Sequence, residues 1–173
     1  MARPITEDPT MTKTLCAAAA ALLIATPALA DDPLLVQLPH LSLSAALKVA
    51  EGAMAACRDK GFEVAVTVVD RAGTVQVTLR DTLAAPLMAN LSEQKAKTAA
   101  NFSAATSAMR ERANSAIGHL NGVLMSAGGV PVLMGGSVLV AGVGVSGSPA
   151  GEADEECALA GIAKIQEDLD RKQ

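Results

Sequence analysis

The chain has 173 residues and a formal net charge of −4; half of its residues are hydrophobic and only 1% are aromatic, with two Phe, no Trp and no Tyr. The acidic balance excludes the dense Lys/Arg surface that a nucleic-acid partner demands. The missing aromatics exclude stacking platforms for bases or sugars and leave an aliphatic core in what, at this length, is one domain.

The first thirty residues carry a leader pattern. Lys13 supplies a positive start, Leu15 to Ile24 an apolar stretch too short to span a bilayer, Pro27 a helix break, and Ala28-Leu29-Ala30 an A-x-A cleavage pattern. That arrangement predicts a secretory signal peptide cleaved after about Ala30, with residues 1–10 as an upstream extension. Residues 31–173 are then expected to form a single periplasmic or secreted domain without a transmembrane anchor. In such a compartment Cys57 and Cys157 can pair, or both can be small buried apolar residues.

Residues 31–41 form a polar, Pro-containing lead-in. Leu43, Leu47, Ala50, Met54 and Cys57 recur at three- and four-residue steps, one face of a helix that Ser42 or Ser44 can cap and Gly61 can end. Residues 63–70 are a β-branched run. In residues 74–80, Val75, Val77 and Leu79 alternate with Gln76 and Thr78, and Gly73 lies between the two runs, so this is a hairpin with one buried face. Residues 81–91 read as a loop containing Pro86. Ser92 then caps an Ala-rich helix from Glu93 to about Phe102, residues 107–113 resume helical structure, and residues 114–122 are irregular. Between Val123 and Ser146, short apolar segments are punctuated by Gly128-Gly129, Gly135-Gly136, Gly142 and Gly144, which reads as three short strands in a meander. Residues 154–170 close the chain as a helix, with Glu152, Asp154, Glu155 and Glu156 near its positive end. The order α-β-β-α-α-β-β-β-α predicts an α+β fold, an antiparallel sheet of about five strands flanked by helices. A Cys57–Cys157 bridge would require the first and last helices to lie side by side.

Gly142-Val-Gly-Val-Ser-Gly147 matches G-x-G-x-x-G, but only one helix follows it, so a dinucleotide site lacks its second strand and acid. The glycines read instead as a place where another backbone, a neighbouring subunit or a flat ligand comes close. The sequence has no G-x-S-x-G, H-E-x-x-H or Walker pattern, and no catalytic residue is assigned. His40 and His119 are the only imidazoles; each can bind a metal or haem iron, or be a solvated surface residue. Met125 and Met134 can be soft ligands or core. Lys95 can pair with a ligand carboxylate or belong to a solvated helical face.

Five segments occur together in order over about residues 41–167. They are Val68-Val-Asp-Arg-Ala-Gly73 before a strand ending at Arg80, Gln94-Lys-Ala-Lys-Thr-Ala99, Ala127-Gly-Gly-Val-Pro131, Gly142 to Gly147, and Asp154 heading a helix with Ala158 and Gly161. The combination resembles the GlcG/HbpS family of haem-binding or haem-degrading domains. The resemblance implies a profilin-like or PAS-like arrangement and self-assembly into dimers or higher homo-oligomers. For exported members it implies a haem or related tetrapyrrole ligand, with redox sensing and iron or corrinoid binding in some; other members lie in glycolate or diol-utilisation contexts.

By position, His40 resembles the histidine ahead of the first helix in HbpS-like members. Glu93 resembles the second acid of a surface E-x-x-E iron motif whose first acid is here Asn90. Val123 stands where the HbpS type carries an oxygen ligand to haem iron, so the iron needs another ligand from His40, His119, Met125 or a partner subunit. The cofactor-binding expectation is His40, Lys95, Thr98, Val123, Gly128 and Gly129; the metal expectation is His40, His119 and Glu93. The leading reading is an exported oligomeric haem- or tetrapyrrole-binding protein for haem handling or redox sensing. Two others stand beside it: an enzyme or accessory subunit for a short hydroxy- or oxo-acid held by Lys95 and Arg80, and a purely structural oligomer.

Overall fold

The computed structural model describes residues 34–171, so the leader pattern of residues 1–30 lies outside the described residues. The fold is that of the compact unit beginning at Gln37. Its elements are α1 (Leu43–Asp59), β1 (Ala65–Asp70), β2 (Val75–Arg80), α2 (Leu87–Phe102), β3 (Gly129–Met134), β4 (Val138–Ser146) and α3 (Gly151–Asp170). Two 3-10 segments, Thr106–Arg112 and Ala116–His119, fill the long connection after α2.

The four strands form one antiparallel sheet in the order β2-β1-β4-β3. Strand period two sorts its side chains. Val66, Val68, Val143 and Val145 join the main aliphatic core with Val49, Ala53 and Met54 of α1 and Ala158 and Ile162 of α3. On the opposite face Val69 packs against Ala96 and Ala100 of α2, and Thr67 Oγ1 lies 2.8 Å from Ser92 Oγ. The sheet is thus a middle layer, with α1 and α3 on one side and α2 on the other.

Much of the expected pattern is present. Ser42 caps α1, its Oγ accepting the Ala45 N–H at 3.3 Å, and Gly61 follows the helix with φ +78°. In the β1–β2 hairpin Asp70 Oδ1 accepts the N–H groups of Ala72 and Thr74 at 2.8 and 2.9 Å, and Gly73 has φ +85°. Gly135 and Gly136, with φ +56° and +71°, begin the three-residue turn of residues 135–137 between β3 and β4.

Three expectations are corrected. The sheet has four strands rather than about five, because Gly142 and Gly144 lie inside one strand. A Cβ on either would overlap a backbone oxygen of α2, that of Ala96 or Ser92, so these glycines let the helix cross directly on the sheet. Helix α2 begins at Leu87, with Pro86 at its N-cap, where a missing N–H costs nothing. Ser92 is therefore a buried mid-helix residue, its Oγ donating to Ala89 O at 2.9 Å. The stretch expected to resume helix over 107–113 is a 3-10 segment.

Cys57 of α1 and Cys157 of α3 form a disulfide, their Cα atoms 5.5 Å apart. The two helices approach closely because Gly52 and Gly161 meet at the crossing. No helix among the described residues is long and apolar enough to cross a membrane.

Candidate functional site

Two separate clefts each carry one of the expected residues, His40 in the first and Lys95 in the second. The first lies where the chain enters α1. Leu41 is buried, and its carbonyl accepts Gln76 Nε2 at 3.0 Å, which ties the lead-in to β2. The Ser42 cap starts the helix one residue later, leaving His40 exposed at the rim. Helix α3 ends beside this point and supplies Ile165 and Leu169. With Ala45 and Lys48 of α1 these enclose an open cleft of about 440 Å³, with Asp168 at its edge. An imidazole, three apolar walls (Leu41, Ile165, Leu169), the Lys48 ammonium and the Asp168 carboxylate share one groove.

The second cleft, about 380 Å³, lies between the first half of α2, the Leu124–Ser126 segment and the start of α3. At its base the side chains of Lys95 and Asp154, 5% and 4% exposed, form an ion pair at 2.9 Å. Lys95 Nζ also donates to Val145 O at 2.9 Å, and Asp154 Oδ1 accepts Ser148 N–H at 3.0 Å. Gly128 is required here: a Cβ on it would lie 2.7 Å from Lys95 Nζ and 2.9 Å from Asp154 Cβ. Gly129 lies against the Lys95 carbonyl and donates to Thr106 Oγ1 at 2.9 Å. Thr98 is one step removed; its Oγ1 donates to Gln94 O at 2.7 Å and accepts Leu124 N–H at 2.8 Å, fixing the turn that carries Val123.

The three residues of the metal expectation do not converge. Glu93 pairs with Lys97 one turn on and lines a small third cleft with Asn90 and Gly122. His119 is exposed at the end of the second 3-10 segment. Among the described residues no group of three His, Cys, Asp or Glu side chains can hold a metal ion. The cations of the acid-binding alternative are both engaged: Lys95 with Asp154, and Arg80 with the carbonyls of Asp81, Thr82 and Ala84.

Sequence reasoning did not pair Lys95 with Asp154, although a lysine on the buried face of a helix demands a carboxylate. It also missed Lys48, Ile165 and Leu169 opposite His40. Only the helical period of residues 154–170, which places Ile162, Ile165 and Leu169 on the face of Ala158, hinted at the last two. The first turn of α3 is acidic, and Arg110 with the backbone holds the Glu152 carboxyl below the usual carboxylate range.

The profile of a family described as "Haem degrading protein HbpS-like" matches residues 41–163. The chain belongs to this HbpS-like family. HbpS itself, in its crystal structure, is 43% identical, with 78% of this chain and 96% of that one covered and a TM-score of 0.72. PduOC, crystallised as a heme complex, is 28% identical over 73% of this chain and 95% of its own, with a TM-score of 0.67. ORFY from Klebsiella pneumoniae, 22% identical with a TM-score of 0.73 over 78% and 97% of the two chains, shares the fold. No curated protein matches significantly. The HbpS-like span contains the whole Lys95–Asp154 cleft; it begins one residue after His40 and stops before Ile165.

Proposed function

We propose that this HbpS-like protein is an exported haem-binding protein that holds haem, or a related tetrapyrrole, in the His40 groove. The observation that carries the reading is the grouping in that groove of a rim imidazole, apolar walls and Lys48. Those residues fit the ligand: imidazole nitrogen is a common axial donor to haem iron, hydrocarbon walls suit the macrocycle, and an ammonium suits a propionate. Haem, when bound, supplies a redox-active iron, which is what haem handling or redox sensing needs. Export is supported by the leader pattern and by a disulfide of a kind that oxidising compartments maintain. Homo-oligomerisation would complete this groove, which is open to solvent and leaves room for a second copy beside a bound ligand.

Hemin titration tests this. A Soret shift at micromolar protein is expected, weakened at least tenfold by His40→Ala and unchanged by His119→Ala. No shift, or a shift indifferent to His40→Ala, overturns the reading. Parallel titration with a corrinoid shows whether the groove distinguishes the two macrocycles.

A further inference from the structure

The Lys95–Asp154 cleft asks for a different guest. The two clefts share no lining residue, and Asp154 and Ile165 are separated by about 16 Å along α3 at the ordinary helical rise. Buried ion pairs are poor devices for stability alone, since well-packed hydrocarbon of the same volume serves as well or better. This pair is kept at the base of an open cleft, with Gly128 leaving space for it.

Its charge balance defines what it can take. Among the described residues, Lys95 and Asp154 are the only charged ones lining the cleft, and their charges cancel. A carboxylate guest competing for Lys95 would leave Asp154 buried without its cation, and an ammonium guest would do the same to Lys95; both outcomes are costly. The N-terminal dipole of α3 adds no anion site, because Glu152 and Asp154 already occupy that first turn. Hydrogen-bonding capacity nevertheless remains. Two of the three ammonium N–H groups are used, by Val145 O and Asp154. Each Asp154 carboxylate oxygen accepts one hydrogen bond, where an ionised oxygen has room for about two. A donor and an acceptor thus stand side by side beneath walls of Met88, Leu91 and Leu124.

We propose that this cleft binds a small uncharged molecule that presents a hydrogen-bond acceptor and donor together, as a primary carboxamide does, on a short apolar body. The carbonyl accepts from Lys95, the N–H or O–H donates to Asp154, and the hydrocarbon lies on Leu91 and Leu124. This is independent of haem binding.

An isosteric series tests it: butyramide, butyrate and butylammonium, titrated into the 15N-labelled protein and followed by amide chemical shifts. The expected result is a saturable shift of the Gly128, Ser148 and Gly151 amides by butyramide, with the two ions at least tenfold weaker. Leu91→Trp, which fills the cleft without touching the ion pair, should abolish those shifts. The same titration in His40→Ala should be unchanged, so that this proposal and the haem reading fail separately. Butyrate binding as tightly as butyramide, or butyramide shifts absent from these amides or surviving Leu91→Trp, would overturn the proposal.

Discussion

Asp81 follows β2 directly and is buried, yet it is a carboxylate. Burial alone would raise its pKa, but hydrogen bonds from Arg58 and the Val64 N–H, with the charge of Arg58, outweigh that and hold it below the ordinary value. Because the folded-state value is depressed, this stabilisation is complete above the unfolded pKa of about 3.9 and is lost as pH falls through the folded value. Asp81→Asn should therefore lower the urea midpoint at pH 7, and the gap from the parent should narrow below about pH 4. A gap that stays constant with pH would show that the charge is not what matters. Lys95 makes the sharper case. Lys95→Met leaves Asp154 buried and unpaired and should cost about 3–5 kcal/mol in urea unfolding. Lys95→Met combined with Asp154→Leu should recover most of that loss.

Helices and strands were legible where their own residues carry the signal. The step of Leu43, Leu47, Ala50 and Met54 gives α1, and the alternation around Gly73 gives the first hairpin. Where a neighbour decides, the sequence misleads. Gly142 and Gly144 look like strand breaks, but they are the track on which α2 runs, and a packing partner distant in sequence leaves no local mark. Ser92 looks like a cap for the same reason, since its true partner is Thr67 across the layer. Gly144→Ala should be severely destabilising, by about 3 kcal/mol or more, because its Cβ meets helix backbone that has no rotamer to yield. Gly136 has nothing within 4 Å of an added Cβ, so Gly136→Asn, which tolerates φ +71°, should be nearly neutral. Thermal unfolding of the two variants checks both; equal melting temperatures would contradict the crossing described for α2.

At the scale of the whole fold, its first and last helices, α1 and α3, pack together. The Cys57–Cys157 bridge closes a loop with a sequence separation of 100 residues and ties the end of α1 to the start of α3, at the opposite ends of the two helices from the His40 groove. Replacing both cysteines with serine should cost about 4.7 kcal/mol in the chain-entropy picture, read as a drop in the denaturant midpoint without loss of the fold's circular-dichroism signature. The groove itself was half legible. His40 stands out as one of two imidazoles, but two of its three apolar walls, Ile165 and Leu169, belong to α3, and only the α1–α3 packing brings them to it. Lys95, Gly128 and Gly129 pack against one another, but the charge that balances Lys95 is Asp154, which the sequence alone does not pair with it. The central claim, that His40 and the end of α3 form the haem site, is tested most directly by anomalous diffraction at the iron edge from crystals of the protein grown with hemin. The account predicts one iron peak within bonding distance of the His40 imidazole, between the start of α1 and Ile165–Leu169. An iron peak over the Lys95–Asp154 cleft, or beside His119 or Glu93, would contradict it.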